Sequence, residues 1–389
     1  MMMIRTLKIL LLLLAIGALL GQCKQNYTSP YTSPHTGYLV VEGYITGNGP
    51  TQFTLSRTIP LPGDSTIPVE NGAQVQVEGN DNSVFPLPAQ GNGVYSIDTL
   101  PLSATTQYRL RINTANGEKY LSDFVPFKPT PVIDSISWVY NADGVNIYAN
   151  THDASNATRY YQWQYDETWE YHSSEQSDFV YQPNTNPVSV IPRTSADMVF
   201  RCWHSRSSTT ILLGSSAKLA QDVIYQQLLN NIPLAGEQLG VLYSTIVRQY
   251  ALTEDGYNFL TLMQKNTESL GSIFDVQPSQ VVGNIHCLSN PAEPVIGYIS
   301  AGTVQQQRLF INSSQVPRWG YVFYCPNSED KIVPNNPDSF KFYYGGEGYI
   351  PCRTDYVADT LFGYFSQTGI CVDCTQRGGT TQDPSFWPN

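Results

Sequence analysis

Short runs in which apolar and polar residues alternate, each followed by turn residues, fill the first part of the chain. In Ala73–Glu78 the side chains of Val75 and Val77 fall on one face, and Tyr108–Ile112 repeats this alternation. Turn residues recur at intervals of about 8–12 residues, a spacing typical of an all-β sandwich. We therefore predict an amino-terminal immunoglobulin-like β-sandwich over residues 38–128.

A proline-rich break, Pro126–Pro131, separates this region from a larger one, residues 132–389. Two segments of the larger region show helical spacing: Ser215–Leu229, and a helix that begins after Thr253 as its cap. The rest reads as strands, so we predict a larger β-sandwich-type domain with a few helical insertions and a mainly β protein. Its strands are expected to include Ser135–Tyr140, Val145–Ala149, Val241–Tyr250, Val295–Ala301, Gln307–Ile311 and Tyr321–Tyr324.

One predicted strand, within Thr158–Tyr171, is unusually aromatic. Aromatic residues occupy five of its odd-numbered positions, and the two-residue period of a strand places all five on one face. This face is either a packed core surface or a stacking surface for sugars or a partner protein. The second interpretation makes Trp163, Trp169 and Tyr171 the candidate binding residues. The five aromatic residues are Tyr161, Trp163, Tyr165, Trp169 and Tyr171.

The amino terminus has the pattern of a secretory signal. Two basic residues precede the apolar run Ile9–Leu20, which covers roughly 18 Å as a helix and is too short for a bilayer core of about 30 Å. The run is followed by Cys23 in a setting that resembles the lipobox of bacterial lipoproteins, although Gln22 replaces the usual small residue. We predict a lipoprotein signal peptide over residues 1–22 and acylation of Cys23, such as by palmitate; ordinary secretion is the alternative.

Residues 23–37 are polar and contain the sequence Tyr-Thr-Ser-Pro twice in succession. Proline favours the extended polyproline conformation, which would give this stretch a reach of roughly 40 Å. We predict a flexible tether between the lipid and the folded protein.

Composition limits the classes of partner. Only 14% of the residues are charged, against about 25% in an average protein. The formal net charge is −11, and no cluster of Lys or Arg is visible. Because phosphate binding needs clustered cations, we expect no nucleic-acid partner.

Six cysteines follow Cys23, and an even number outside the cytosol predicts up to three disulfides. The four late cysteines lie in a Gly/Pro-rich tail, where crosslinks between them are expected, which leaves Cys202 and Cys287 for each other. Two other interpretations are half of a zinc site at Cys371–Cys374 and a nucleophile at His286-Cys287. The disulfide candidates are Cys202, Cys287, Cys325, Cys352, Cys371 and Cys374.

Motifs for catalysis are scarce in the sequence. The five histidines lack metal-ligand spacing, and there is neither a phosphate-binding loop nor a Gly-x-Ser-x-Gly elbow. Ser215–Lys218 matches Ser-x-x-Lys of penicillin-binding enzymes, but the companion motifs of that family are absent. We therefore predict no catalytic residue, no metal and no cofactor, and a protein that is not an enzyme.

Several short sequence strings, most of them in the second half of the chain, form a combination that is typical of one protein family. They resemble domain-of-unknown-function family 4249, and the resemblance covers nearly the whole mature chain. It implies an outer-membrane lipoprotein of Bacteroidota that is encoded beside a TonB-dependent receptor, and it supplies no catalytic residues. The strings are Tyr160–Trp163, Cys202-Trp203, Gly271–Asp275, Val282–Ile285, Ile296–Tyr298, Cys371–Cys374, Arg377–Thr380 and Pro384–Trp387.

The expected function is a non-enzymatic binding or accessory subunit, which the lipid anchors to the outer membrane and which assists a TonB-dependent transporter. Both the cell surface and the periplasmic face are open to it, because Lys24–Tyr27 lacks the acidic residues that often direct such lipoproteins to the surface. A secreted hydrolase acting on glycan or peptide is the alternative, suggested by the aromatic strand. Two carboxylates about 5–10 Å apart in a cleft would favour that enzyme.

Overall fold

The structure is a computed structural model that describes residues 37–59, 66–268, 282–325 and 330–388. The predicted signal peptide, Cys23 and all but the last residue of the predicted tether lie outside the described residues. The described chain is mainly β, as the alternation of apolar and polar residues predicts.

The strands are numbered in chain order. The first nine are β1 (Leu39–Thr46), β2 (Thr51–Arg57), β3 (Gln74–Gly79), β4 (Val84–Leu87), β5 (Ala89–Gly91), β6 (Val94–Ile97), β7 (Gln107–Asn113), β8 (Lys119–Ser122) and β9 (Val125–Lys128). The next nine are β10 (Ile133–Asn141), β11 (Gly144–Asp153), β12 (Tyr160–His172), β13 (Phe179–Gln182), β14 (Ser189–Pro192), β15 (Arg201–Ser207), β16 (Leu212–Ser215), β17 (Asp222–Pro233) and β18 (Leu242–Ala251). The last six are β19 (Ile285–Cys287), β20 (Ala301–Gly302), β21 (Val304–Asn312), β22 (Lys331–Pro334), β23 (Tyr349–Val357) and β24 (Thr360–Thr368).

Helices are few and mostly short. The α-helices of the described residues are α1 (Glu254–Glu268), α2 (Pro337–Phe340) and α3 (Gly369–Val372). Single 3-10 turns occur at Ser195–Asp197, Glu237–Leu239, Ser313–Gln315 and Cys374–Arg377, and a π-helical turn at Lys341–Gly346.

The first region forms one hydrogen-bonded system of 11 strands, β1–β9 with β19 and β20. The pattern at Val75 and Val77 is confirmed, since both side chains are buried while their neighbours are not. Strand β20 pairs in parallel with both β1 and β9 and so joins the two sides of the region. The finer immunoglobulin-like arrangement stays a prediction.

Strands β19 and β20 come from far along the chain. The sequence assigned their residues to the larger region, but β19 pairs with β8, and Ile285, Val295 and Ile299 are buried in the first region's core. The expected strand Val295–Ala301 is reduced to an isolated bridge at Ile296 and to β20. The first region is therefore built from two separate parts of the chain.

The larger region contains two sheets that share one core. One sheet has the order β10-β11-β17, and the other has β15-β12-β18-β21 with β16 paired to β12. Ile147 and Ile224 from the first sheet and Trp163 and Val247 from the second belong to the same buried cluster. The predicted strands Val241–Tyr250 and Gln307–Ile311 are confirmed as β18 and β21.

The predicted helix Ser215–Leu229 is wrong. This stretch forms the end of β16, a turn and most of β17, which pairs with β11 over its length. Leu219, Val223 and Leu228, the residues of the supposed apolar stripe, are 54%, 43% and 45% exposed. Pairing with β11 decides the conformation here and overrides the local helical spacing.

The helix predicted after Thr253 is confirmed as α1. The Thr253 hydroxyl accepts a hydrogen bond from the backbone N–H of Gly256 at 3.1 Å, which satisfies one of the free donors at the start of the helix. Two acidic residues, Glu254 and Asp255, lie in its first turn, where they interact favourably with the helix dipole.

The carboxy-terminal tail forms the small sheet β22-β24-β23 and then runs back to the sheet that contains β15. The backbone of Thr380 exchanges two hydrogen bonds with Trp203 on the edge strand β15. Trp387 is buried and donates from Nε1 to the Glu170 carboxylate at 3.1 Å. The expected strand Tyr321–Tyr324 is irregular chain instead.

A candidate binding cleft between the two regions

The aromatic face of β12 is core. Trp163 is 0%, Trp169 6% and Tyr171 1% exposed. The core interpretation is confirmed. Burial excludes these three residues as surface binding residues, because their rings belong to the buried core of the larger region.

The indole N–H groups of Trp163 and Trp169 are satisfied within the protein. Trp163 Nε1 donates to Gln249 Oε1 at 2.9 Å, and Trp169 Nε1 donates to Glu237 Oε1 at 3.1 Å. Because successive residues of a strand point to opposite faces, the even-numbered residues of β12 face away from this core. Two of them, Gln162 and Gln164, line a cleft.

The cleft has a volume of about 700 Å³ and lies between the first and the larger region. Its walls come from β1 and the turn after it, from β12, β18 and β21, from α1, and from the segment before β20. Two contacts hold the walls together. Asn48 bonds both the backbone N–H and the carbonyl of Val304, at 2.8 and 2.9 Å, and the Tyr44 hydroxyl donates to the Ala251 carbonyl at 3.4 Å.

One wall is polar and is ordered by strand register. Gln162 lies opposite Tyr250 on the neighbouring strand, and Gln164 lies opposite Arg248, which in turn lies opposite Gln306. Because directly opposed residues of paired strands lie side by side, these side chains form a continuous surface. We call the side chains of Gln162, Gln164 and Gln306, together with that of Gln52 on β2, which also lines the cleft, the amide wall.

Most of the amide wall makes no side-chain hydrogen bond to the described part of the protein. The Tyr250 hydroxyl donates to Gln164 Oε1 at 3.1 Å. The side-chain amides of Gln52, Gln162 and Gln306 make no hydrogen bond to another residue within the described ranges. Each amide carries both donors and acceptors, so the wall can bond a ligand that offers either.

Another part of the lining is apolar. Phe259, Leu260 and Met263 lie on one side of α1 and line the cleft, since residues three and four apart share a helix face. The ring of Tyr298 packs on Phe259 with 5.4 Å between centroids. We call this surface, Phe259, Leu260, Met263 and Tyr298, the apolar wall.

Helix α1 is fixed at both ends. Thr253 caps its start, and at its end Glu268 accepts a hydrogen bond from the Ile211 N–H while Gln264 donates to the Ile211 carbonyl, both at 2.7 Å. The loop at Ile211 joins β15 to β16, so the apolar wall is attached to the same sheet that carries the amide wall.

Charges in the cleft are few, and its one cation among the described residues is paired. Arg248 Nη2 lies 2.6 Å from Asp166 Oδ2. Burial of Asp166 opposes its ionisation, but hydrogen bonds from Arg248 and Ser207 outweigh this and lower the pKa of its carboxyl. Glu42 is the one carboxylate among the described residues that line the cleft. Burial raises the pKa of Tyr250, so its hydroxyl is neutral.

The cysteines pair differently from the expectation. Cys202 is bonded to Cys374, and Cys325 to Cys371, while Cys287 is a buried free thiol. A Cys202–Cys287 bond is excluded because Cys287 belongs to the first region's core. The second buried free thiol is Cys352, so four of the six cysteines that follow Cys23 are oxidised. Half of a zinc site at Cys371–Cys374 is also excluded, since each sulfur is bonded to another cysteine.

The other chemical motifs do not assemble into sites. In the Ser-x-x-Lys match, Ser215 ends strand β16 instead of starting a helix, and its hydroxyl accepts a hydrogen bond from the Ala217 N–H at 3.1 Å. His286 is exposed and bonds Asp123 at 3.1 Å, on the opposite face of β19 from buried Cys287. The described part of the chain contains no group of three or more His, Cys, Asp or Glu that could hold a metal. In the same part, no helix combines the length and the apolarity needed to cross a membrane.

The cleft is not predicted from the sequence. A signal for it is present in β12, where Gln162 and Gln164 alternate with the aromatic residues, and in the run Gln305–Gln307. What the sequence does not give is that the first region packs against this face of the sheet.

Fold and cleft together define a mainly β protein with a cleft between two β-rich regions. The chain belongs to the family described as Domain of unknown function (DUF4249), whose profile matches residues 25–308. The match confirms the predicted family and includes every residue of both cleft walls. It ends at residue 308, so the strings Cys371–Cys374, Arg377–Thr380 and Pro384–Trp387 lie outside the matched residues. Among curated proteins, none matches this chain.

Proposed function

We propose that this protein is a non-enzymatic binding subunit of the outer envelope, anchored through acylated Cys23, that serves a TonB-dependent transporter. The signal sequence and the cysteine that follows it support the anchor, and the family resemblance motivates the partner. Either face of the outer membrane is compatible with the proposal.

The observation that carries the proposal is the composition of the cleft. Its lining supplies amide, hydroxyl, aromatic and aliphatic groups, which hold a ligand by hydrogen bonds and contact area. Its charged members are Glu42 and the ion-paired Arg248. A hydrolase with two carboxylates would need a second acid facing Glu42. The cleft therefore favours binding over hydrolysis of glycan or peptide.

The experiment is affinity purification of the full-length protein from detergent-solubilised outer membrane. We expect a TonB-dependent barrel protein to co-elute with the wild type. We also expect a fatty-acid analogue to label the wild type and the control variant Cys287→Ala, but not Cys23→Ala. Labelling that persists in Cys23→Ala contradicts the anchor, and a wild-type protein that elutes without any such barrel contradicts the transporter partner.

A further inference from the structure

We propose that the cleft binds an uncharged amphiphile, whose hydroxyl-rich head bonds the amide wall and whose apolar body lies along α1. This inference rests on the proposed binding function and adds the chemical class of the ligand.

The head follows from the amide wall. The amides of Gln52, Gln162 and Gln306 are without a partner within the described ranges, and each offers donors and an acceptor. A hydroxyl group is likewise a donor and an acceptor, so a sugar-like head can satisfy several of these amides at once. Tyr250 lies opposite Gln162, with its ring 5.0 Å from the Tyr44 ring, and supplies contact area beside the hydrogen bonds.

The apolar body follows from the apolar wall. Leu260 and Met263 line the cleft and are partly exposed, and the packed rings of Phe259 and Tyr298 also line it. An apolar chain placed there removes this surface from water at about 25 cal/mol per Å². A sugar alone would leave the apolar wall exposed to water.

The absence of ligand charge follows from the electrostatics. Arg248 is compensated by Asp166 at 2.6 Å, and burial keeps the hydroxyls of Tyr44 and Tyr250 neutral by raising the pKa of each. Glu42 would repel an anionic ligand. It would attract a cationic ligand only weakly, because this single carboxylate is exposed to water. The volume of about 700 Å³ is in the range of about 300–1,000 Å³ that encloses a small molecule.

The test uses n-octyl β-D-glucoside below its micelle concentration, with glucose and sodium octyl sulfate as comparison ligands. The protein is the mature full-length chain carrying Cys23→Ala, which needs no detergent. Calorimetry is expected to show that octyl glucoside binds at least tenfold more tightly than either comparison ligand.

Two single substitutions, one in each wall, change the polarity of a side chain while keeping its length. Gln162→Met removes an amide and Met263→Gln adds one, and each is expected to weaken octyl glucoside binding about tenfold, equivalent to about 1.4 kcal/mol. The matched controls are Gln90→Met and Met198→Gln, at exposed positions outside the cleft, and they are expected to bind as the wild type does.

Three results overturn the inference: no binding of octyl glucoside, octyl sulfate binding as tightly as the glucoside, or equal loss in cleft variants and controls. None of them affects co-elution with a barrel protein. Failure of the ligand class is therefore distinguishable from failure of the proposed function.

Discussion

Removing the disulfide between Cys202 and Cys374 is expected to cost more stability than removing the other disulfide. The bond joins residues 172 positions apart, whereas Cys325 and Cys371 are 46 apart. In the chain-entropy account a crosslink stabilises by restricting the unfolded chain, and the longer loop gains more. The relation gives about 5 kcal/mol at 25 °C for the first bond and about 4 kcal/mol for the second.

The nesting of the two loops changes this little. The loop closed by Cys325–Cys371 lies inside the longer one, and discounting its residues lowers the larger value by about 0.3 kcal/mol. In the folded state the first bond fixes the tail next to β15, where Thr380 pairs with Trp203. Its loss therefore also frees the edge of the sheet.

The assay is urea unfolding followed by tryptophan fluorescence, with the wild type compared with Cys202→Ala/Cys374→Ala and Cys325→Ala/Cys371→Ala. Both variants are expected to lose stability, the first by the larger amount, and to unfold with a steeper urea dependence because their unfolded chains expose more surface. Alkylation of the denatured, non-reduced wild type is expected to modify Cys287 and Cys352. A loss below about 1 kcal/mol for the first variant, or modification of all six late cysteines, would refute the reasoning.

Three further predictions concern the fold. Trp163→Ala is expected to lower the free energy of unfolding by about 3–5 kcal/mol because it empties a fully buried site. Tyr225→Ala, at a side chain that is 76% exposed, is expected to change the free energy of unfolding by no more than about 0.5 kcal/mol. Similar losses for the two variants in denaturant titrations would contradict this. Thr253→Ala is expected to cost about 1 kcal/mol and Thr253→Ser much less, measured in the same way, since only the hydroxyl caps α1; equal losses would exclude the cap. Burial of Glu78 opposes its ionisation, but hydrogen bonds from Arg111 and Arg109 lower its pKa to about 2. Because the folded-state pKa lies below the unfolded value of about 4.3, the ionised carboxylate contributes stability above about pH 4.3, and this contribution is lost as the pH falls towards the folded-state pKa. Glu78→Gln is therefore expected to lose stability less steeply than the wild type between about pH 4.3 and 2. An unchanged slope would contradict the ion pair.

Local patterns in the sequence were sufficient for much of the fold. The alternation at Val75 and Val77, the aromatic face of β12, and the cap at Thr253 each depend on neighbours within one strand or one helical turn. The chemistry that fixes them is visible in a short window of sequence.

The features that the sequence did not yield depend on distant partners. Residues 215–229 have helical spacing, yet pairing with β11 makes most of them β17. Cys287 looked available to Cys202 until β19 placed it in the first core. The cleft has the same origin, because Gln162 and Gln306 become neighbours of Gln52 only when the first region packs on the larger one.

The central claim is that the protein holds a ligand in the cleft between its two regions. Native mass spectrometry of the protein released from outer membrane tests this claim most directly. The wild type and Gln90→Trp are expected to carry a bound small molecule that Gln162→Trp, with its cleft obstructed, has lost. A wild-type protein without any bound molecule, or a Gln162→Trp protein that retains it, would contradict the account.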